Sequence, residues 1–175
     1  MSAIISECGT YRYQLTRWTK TLFNSRDTPM GGGTLTVLML NPSTADARKN
    51  DPTIRRCIDL AERQGADELV VVSLFAYRAT KPKALREALT DDEDIIGPDN
   101  DMHIRDAVAQ ADKVVCAWGR NGIHHTQRVA RVLHMFDDDV ELWCLGETQD
   151  GHPRHPLMVP NETPLQRYWT GDEDE

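Results

Sequence analysis

The sequence predicts an α/β fold: a three-layer sandwich with a central, mostly parallel four-stranded sheet flanked by helices. Three observations lead there. Four short apolar runs, TLTVLML (34–40), ELVVVSLF (68–75), KVVCAWG (113–119) and VELWCLG (140–146), are continuous rather than alternating. That is the pattern of strands covered on both faces. Helix-patterned segments lie between the runs, and strand alternating with helix is the mark of parallel βαβ units. Finally, 175 residues with 39% hydrophobic and 27% charged content suit one domain, placed at 1–168, ahead of an acidic tail at 169–175.

Each element follows from its local residues. The N-terminal YRYQLTRWTKTLF (11–23) is expected as an extra helix or strand on one edge of the sheet. Pro29-Met30-Gly31-Gly32-Gly33 is a turn leading into the first core strand. Residues 52–64 carry Ile54, Cys57, Ile58 and Ala61 at helical spacing, with Asp51 as the cap and Pro52 in the first turn. Helices are also expected at 82–89, 99–110 and 122–136, the last with Val129, Val132, Leu133 and Phe136 on one side.

Charge and cysteines narrow the function classes. A net charge of −8 argues against a nonspecific nucleic-acid coat protein, but the charge is unevenly spread. Residues 44–86 hold nine Lys/Arg against six Asp/Glu, whereas 87–101 hold seven acids and no base. A locally basic middle beside acidic flanks is either a solvated surface or a cationic face suited to a polyanion. Cys8, Cys57, Cys116 and Cys144 are scattered without a CxxC pair, which reads as reduced thiols of a cytoplasmic protein rather than a zinc site. No metal and no cofactor is expected. No run approaches the length of a membrane span and no secretion signal stands at the start, so membrane partners are not expected. Nothing suggests an oligomer, and a monomer is expected.

The strand ends carry the functional signal. In open parallel sheets ligands bind beyond the carboxyl ends of the strands. Here the first run breaks into Asn41-Pro42-Ser43-Thr44, the second into Ser73-Leu74-Phe75-Ala76-Tyr77-Arg78, and the third into Trp118-Gly119-Arg120. The fourth runs on to Gly151-His152-Pro153-Arg154-His155-Pro156-Leu157. The order Asn-Pro, polar strand end, Trp-Gly and His-Pro resembles the uracil-DNA glycosylase superfamily over roughly residues 34–160. With NPSTADA, LFAYRAT and GHPRHPL, the chain also resembles an uncharacterised bacterial and phage family, taken as a distant branch of it.

That resemblance implies a monofunctional DNA base glycosylase. Such an enzyme flips a modified or damaged base and hydrolyses its N-glycosidic bond, leaving an abasic site, here in DNA such as modified phage DNA. The chemistry needs a positioned water and a donor for the departing base. By resemblance Asn41 positions the water, with Asp46 sharing or taking that role, because an amide is a poor base. By resemblance too, His155 stabilises the leaving base, with His152 as its competitor. Pro42, Ser43, Ser73, Phe75 and Tyr77 are the candidate base-binding residues. Phe75 would stack on the base. Ser73 stands where the family often has Asn, and a hydroxyl reads a base edge less fully, which points away from plain uracil. Arg48, Arg55, Arg78, Lys81, Arg120 and Arg154 are candidates to grip DNA phosphates, and Arg56 belongs with them. Tyr11-Arg12-Tyr13 would pack over the site or into the fold. Two other classes fit the same residues: a non-catalytic nucleic-acid or nucleotide-binding module, and a small-molecule nucleoside hydrolase.

Overall fold

The computed structural model describes residues 1–19, 32–80, 84, 85, 87, 88 and 94–168. Along the chain these are β1 (Ser2–Ile5), β2 (Arg12–Trp18), β3 (Thr34–Met39), α1 (Pro52–Arg63), β4 (Glu68–Ser73), α2 (Asn100–Ala109), β5 (Lys113–Cys116), α3 (Thr126–Leu133), β6 (Leu142–Cys144) and β7 (Gln166–Arg167). Short 3-10 turns at Arg120–His125 and Pro156–Met158 complete the set. Of the helix expected at 82–89, residues 84, 85, 87 and 88 are helical; the rest of it, Lys81 and the tail 169–175 lie outside the described residues.

Among the described residues, the expected four-stranded sheet has seven strands, in the order β1-β2-β4-β3-β5-β6-β7. Its centre is the anticipated parallel set, β4-β3-β5-β6. Antiparallel β1 and β2 extend one side and β7 the other. The additions were hidden for physical reasons. β1 has only four residues, half of them exposed, and β7 is two exposed residues, so neither reaches the length of a core-strand apolar run. The N-terminal segment is a strand, β2, and it lies between β1 and β4 rather than on the edge. Its buried Arg12 and Arg17 break the hydrophobic pattern that marks the other strands.

The central strands alternate cleanly between two cores. Leu35, Val37 and Met39 of β3, with Leu69 and Val71 of β4, face Ile54, Cys57, Leu60 and Ala61 of α1. Leu38 of β3, with Val70 and Val72 of β4, faces Ile104, Ala107 and Val108 of α2 and Val129 and Val132 of α3. Helices therefore cover both faces, and this burial on both sides is why the strands read as continuous apolar runs. The segment expected as one helix at 122–136 divides: Gly119, at φ 77, turns the chain into a 3-10 segment before α3 begins at Thr126. None of the described helices is long and apolar enough to cross a membrane.

Candidate functional site

Strand order fixes where the site forms. The chain leaves β3 over α1 to reach β4 on one side, then places β5 on the other side of β3. This is a topological switch point, where connections depart in opposite directions and open a crevice at the strand ends. A cavity of about 880 Å³ occupies this crevice, within the roughly 300–1,000 Å³ usual for small-molecule sites. Its walls come from Met39, Leu40, Asn41 and Ser43 after β3, Trp118, Gly119, Arg120 and Asn121 after β5, and Arg154, His155, Leu157 and Met158 in the late loop. Arg12, Asp51, Thr53 and Ile54 close the inner side.

The β3–α1 loop is irregular, and arginines of β2 hold it. Arg12 Nη1 donates to Ala45 O at 3.0 Å. Arg17, wholly buried, donates through Nε to Asn50 Oδ1 at 2.7 Å and through Nη2 to Asp46 O and Lys49 O. Asn41 Nδ2 donates to Pro42 O at 3.0 Å and Ala79 O at 2.9 Å, tying the loops after β3 and β4 together. With both amide hydrogens used, Oδ1 is left as an acceptor. The loop ends at Asp51, whose Oδ1 accepts from Ile54 N at 2.9 Å and caps α1, as the Asp-Pro pair implied.

The late loop is held equally firmly. Gly119 N donates to Pro153 O at 2.9 Å, and Arg154 N to Gly146 O at 2.8 Å. Arg56 of α1 donates to Pro156 O at 3.2 Å and to Val159 O. A Cβ at Gly119 would lie 3.0 Å from His155 Cβ, so the Trp-Gly end of β5 lets the histidine approach. His155 Nδ1 accepts from Leu157 N at 3.2 Å, which leaves Nε2 to carry the proton of the neutral ring. Burial lowers its pKa, with Asp51 opposing, so the ring is neutral at pH 7. Arg12 is pulled down to about 10, chiefly by burial, again with Asp51 opposing, and stays cationic.

Residues 12–157 match the family model described as Protein of unknown function (DUF1643). The chain belongs to this family. The match begins at Arg12 and ends at Leu157, both cavity residues, so the DUF1643 region contains the whole cavity lining except Met158. No curated protein and no solved structure matches the chain.

Of the residues singled out from the sequence, Asn41, Ser43, His155, Arg120 and Arg154 come together on the cavity. Others do not line it. Asp46 is instead a turn residue: its Oδ1 accepts from Arg48 N and Lys49 N, each at 2.8 Å, and these bonds first of all lower its pKa. His152 is buried behind Trp118, whose Nε1 donates to its Nδ1 at 3.4 Å, and burial lowers its pKa. Of the two histidines, the cavity therefore takes His155. Pro42 is buried and contributes its carbonyl to the loop tie. Ser73 and Phe75 are buried at the end of β4, where Phe75 packs edge-on against His125 at 4.7 Å. Tyr77 bridges to Tyr11 and packs on the α2/α3 core. Arg48 and Arg55 are exposed outside the cavity, and Arg78 Nη1 donates to Gly9 O at 3.2 Å. Arg56 serves the late loop rather than an open phosphate site.

Two cavity positions lie outside the candidate set that the sequence offers. Asp51 caps α1, as its place before Pro52 implies, and it is also the buried acid of the cavity. Arg12 had one signal, its place between two tyrosines, but nothing local to β2 shows that it reaches the end of β3.

Proposed function

We propose that the chain is a monofunctional DNA base glycosylase acting on a modified or damaged base flipped into the switch-point cavity. The observation that carries this reading is the convergence of Asn41, Asp51 and His155 on one cavity. Bond cleavage leaves positive charge on the sugar and an electron pair on the departing base. Neutral His155, with its proton on Nε2, would donate a hydrogen bond to an oxygen of that base. Asp51, rather than Asp46, would face the sugar cation and accept a proton from the attacking water, while Asn41 Oδ1 orients that water. The water oxygen bonds to the sugar carbon as the C–N bond breaks. Met39, Leu40, Ile54 and Trp118 would hold the base in place of Phe75, Ser73 and Tyr77. Arg120 and Arg154, exposed on the cavity, would meet phosphates. Modified phage DNA is the proposed substrate, and a cytoplasmic monomer the proposed working form.

The sealed positions of Ser73 and Phe75 favour one second reading, a nucleotide-binding module without catalysis. An abasic-site assay separates the two. The panel carries uracil, thymine mismatches, hydroxymethylated and glucosylated pyrimidines and deaminated purines, in single and double strands. Abasic sites that vanish in His155→Ala, with DNA binding kept, support the glycosylase. Intact DNA on every substrate, with binding retained, supports the module. Turnover of free nucleosides that ignores salt would instead mark a small-molecule hydrolase, since DNA binding weakens steeply with salt.

A further inference from the structure

Among the described residues three arginines are largely buried, and they are partnered differently. Arg17 donates to Asn50 Oδ1 and to the carbonyls of Ser2, Thr16, Asp46 and Lys49. Arg128 donates through Nε to Leu74 O at 2.7 Å and pairs with Asp101 Oδ1 at 2.6 Å. Arg12 is only 4% exposed, yet among the described residues its guanidinium meets a single acceptor, Ala45 O, through Nη1. The ion pairs of the described residues do not include it. Arg128 Nη1 is sealed without a hydrogen-bond partner, whereas no nitrogen of Arg12 is sealed in that way, so the free donors of Arg12 open on the cavity, where water or a ligand meets them. Unlike Arg17 and Arg128, Arg12 borders open cavity volume.

The geometry of the group says what would meet it. With Nη1 committed to Ala45, the Nε/Nη2 edge remains, and that edge forms the two parallel bonds of an arginine–carboxylate fork. Its backbone is fixed as well, because Arg12 N donates to Ala76 O at 2.9 Å. Asp51 shares the cavity but uses Oδ1 on the α1 cap. The cavity also has room for a substituent beyond an unmodified pyrimidine ring.

We propose that Arg12 is a specificity-determining residue and that the cavity takes a nucleobase carrying a carboxylate, held by the Arg12 fork. This rests on the glycosylase reading for the base, but the anion preference can be measured without catalysis. The test is isothermal titration of free uracil-5-carboxylate against thymine into wild type, Arg12→Lys and Arg12→Met. The expected result is about a tenfold or greater preference for the carboxylate in wild type. It should vanish in Arg12→Met and shrink in Arg12→Lys, which keeps the charge without the planar fork. Equal affinities in wild type, an unchanged preference in Arg12→Lys, or no binding of either base at millimolar concentration would overturn the proposal. Since Arg12 also holds Ala45, a melting curve accompanies each variant, and Arg12→Lys decides if Arg12→Met unfolds. The same proteins are then given an oligonucleotide containing the 5-carboxyuracil nucleotide. A carboxylate preference without abasic-site formation leaves Arg12 assigned and removes the glycosylase. Abasic sites without the preference do the reverse.

Discussion

The chain leaves β3 and β4, two neighbouring parallel strands, through Asn41-Pro42-Ser43 and Ser73-Leu74-Phe75, yet of these residues only Asn41 and Ser43 border the cavity. The difference lies in what stands beside each strand. β3 adjoins β5 at the switch point, so its end faces a crevice. β4 lies between β3 and the antiparallel β2, and its end is covered. Asn100 Nδ2 donates to Ser73 O at 3.0 Å and Leu74 O at 3.2 Å, Arg128 Nε reaches Leu74 O, and His125 packs on Phe75. Ser73 at the end of β4 therefore belongs to a seal that satisfies backbone carbonyls, whereas Asn41 and Ser43 after β3 belong to an open site.

Substitutions can sharpen or break that contrast. The largest effect is expected at Asp51. Asn caps a helix about as well as Asp, so Asp51→Asn should keep the melting temperature while abasic-site formation falls about 10²- to 10⁴-fold. Asp46→Asn, in the neighbouring turn, should leave the rate near wild type. Equal losses at both positions would mean that the loop matters as a whole rather than through its cavity acid. Next comes His155→Ala, expected to lower the single-turnover rate about 10²- to 10³-fold, whereas His152→Ala should act on stability. A His152→Ala protein that melts normally but has lost its rate would reverse the assignment.

On the sealed side, Phe75→Leu should cost about 1 kcal/mol in urea unfolding, as a volume-changing core swap does, with abasic-site formation by the folded protein unchanged. A specific loss of base binding there would reopen the end of β4 as part of the site. The smallest effect concerns pH. Burial holds both His155 and His152 below the ordinary 6.5, so below that value the unfolded chain binds more protons than the folded one. Stability should be full above about pH 6.5 and decline as pH falls through that value toward the lower folded pKa values. Urea midpoints at successive pH values check this, and a decline on the alkaline side instead would contradict the burial of these rings.

Much of the frame was legible in the sequence. The four apolar runs became the four parallel strands, and Asp51-Pro52 became the start of α1. Asn41 and His155, 114 positions apart in the chain, were both found as strand-end residues. What stayed illegible was long-range satisfaction of polar groups. Nothing near Ser73 announces Asn100, and nothing near Arg56 announces Pro156 and Val159. The choice between His152 and His155 likewise depends on Trp118 Nε1 meeting one ring, a contact between residues of two different loops.

The sequence by itself determined the α/β alternation, the parallel centre and the placing of polar residues at the strand ends, because strand and helix periodicities are local properties of the chain. Only the tertiary structure decided which ends open on the cavity, that Asp51 replaces Asp46 as its acid, and that Arg12 joins it from β2. Those outcomes depend on strand order and on which donor reaches which carbonyl, and such pairings form between segments whose local patterns carry no record of one another.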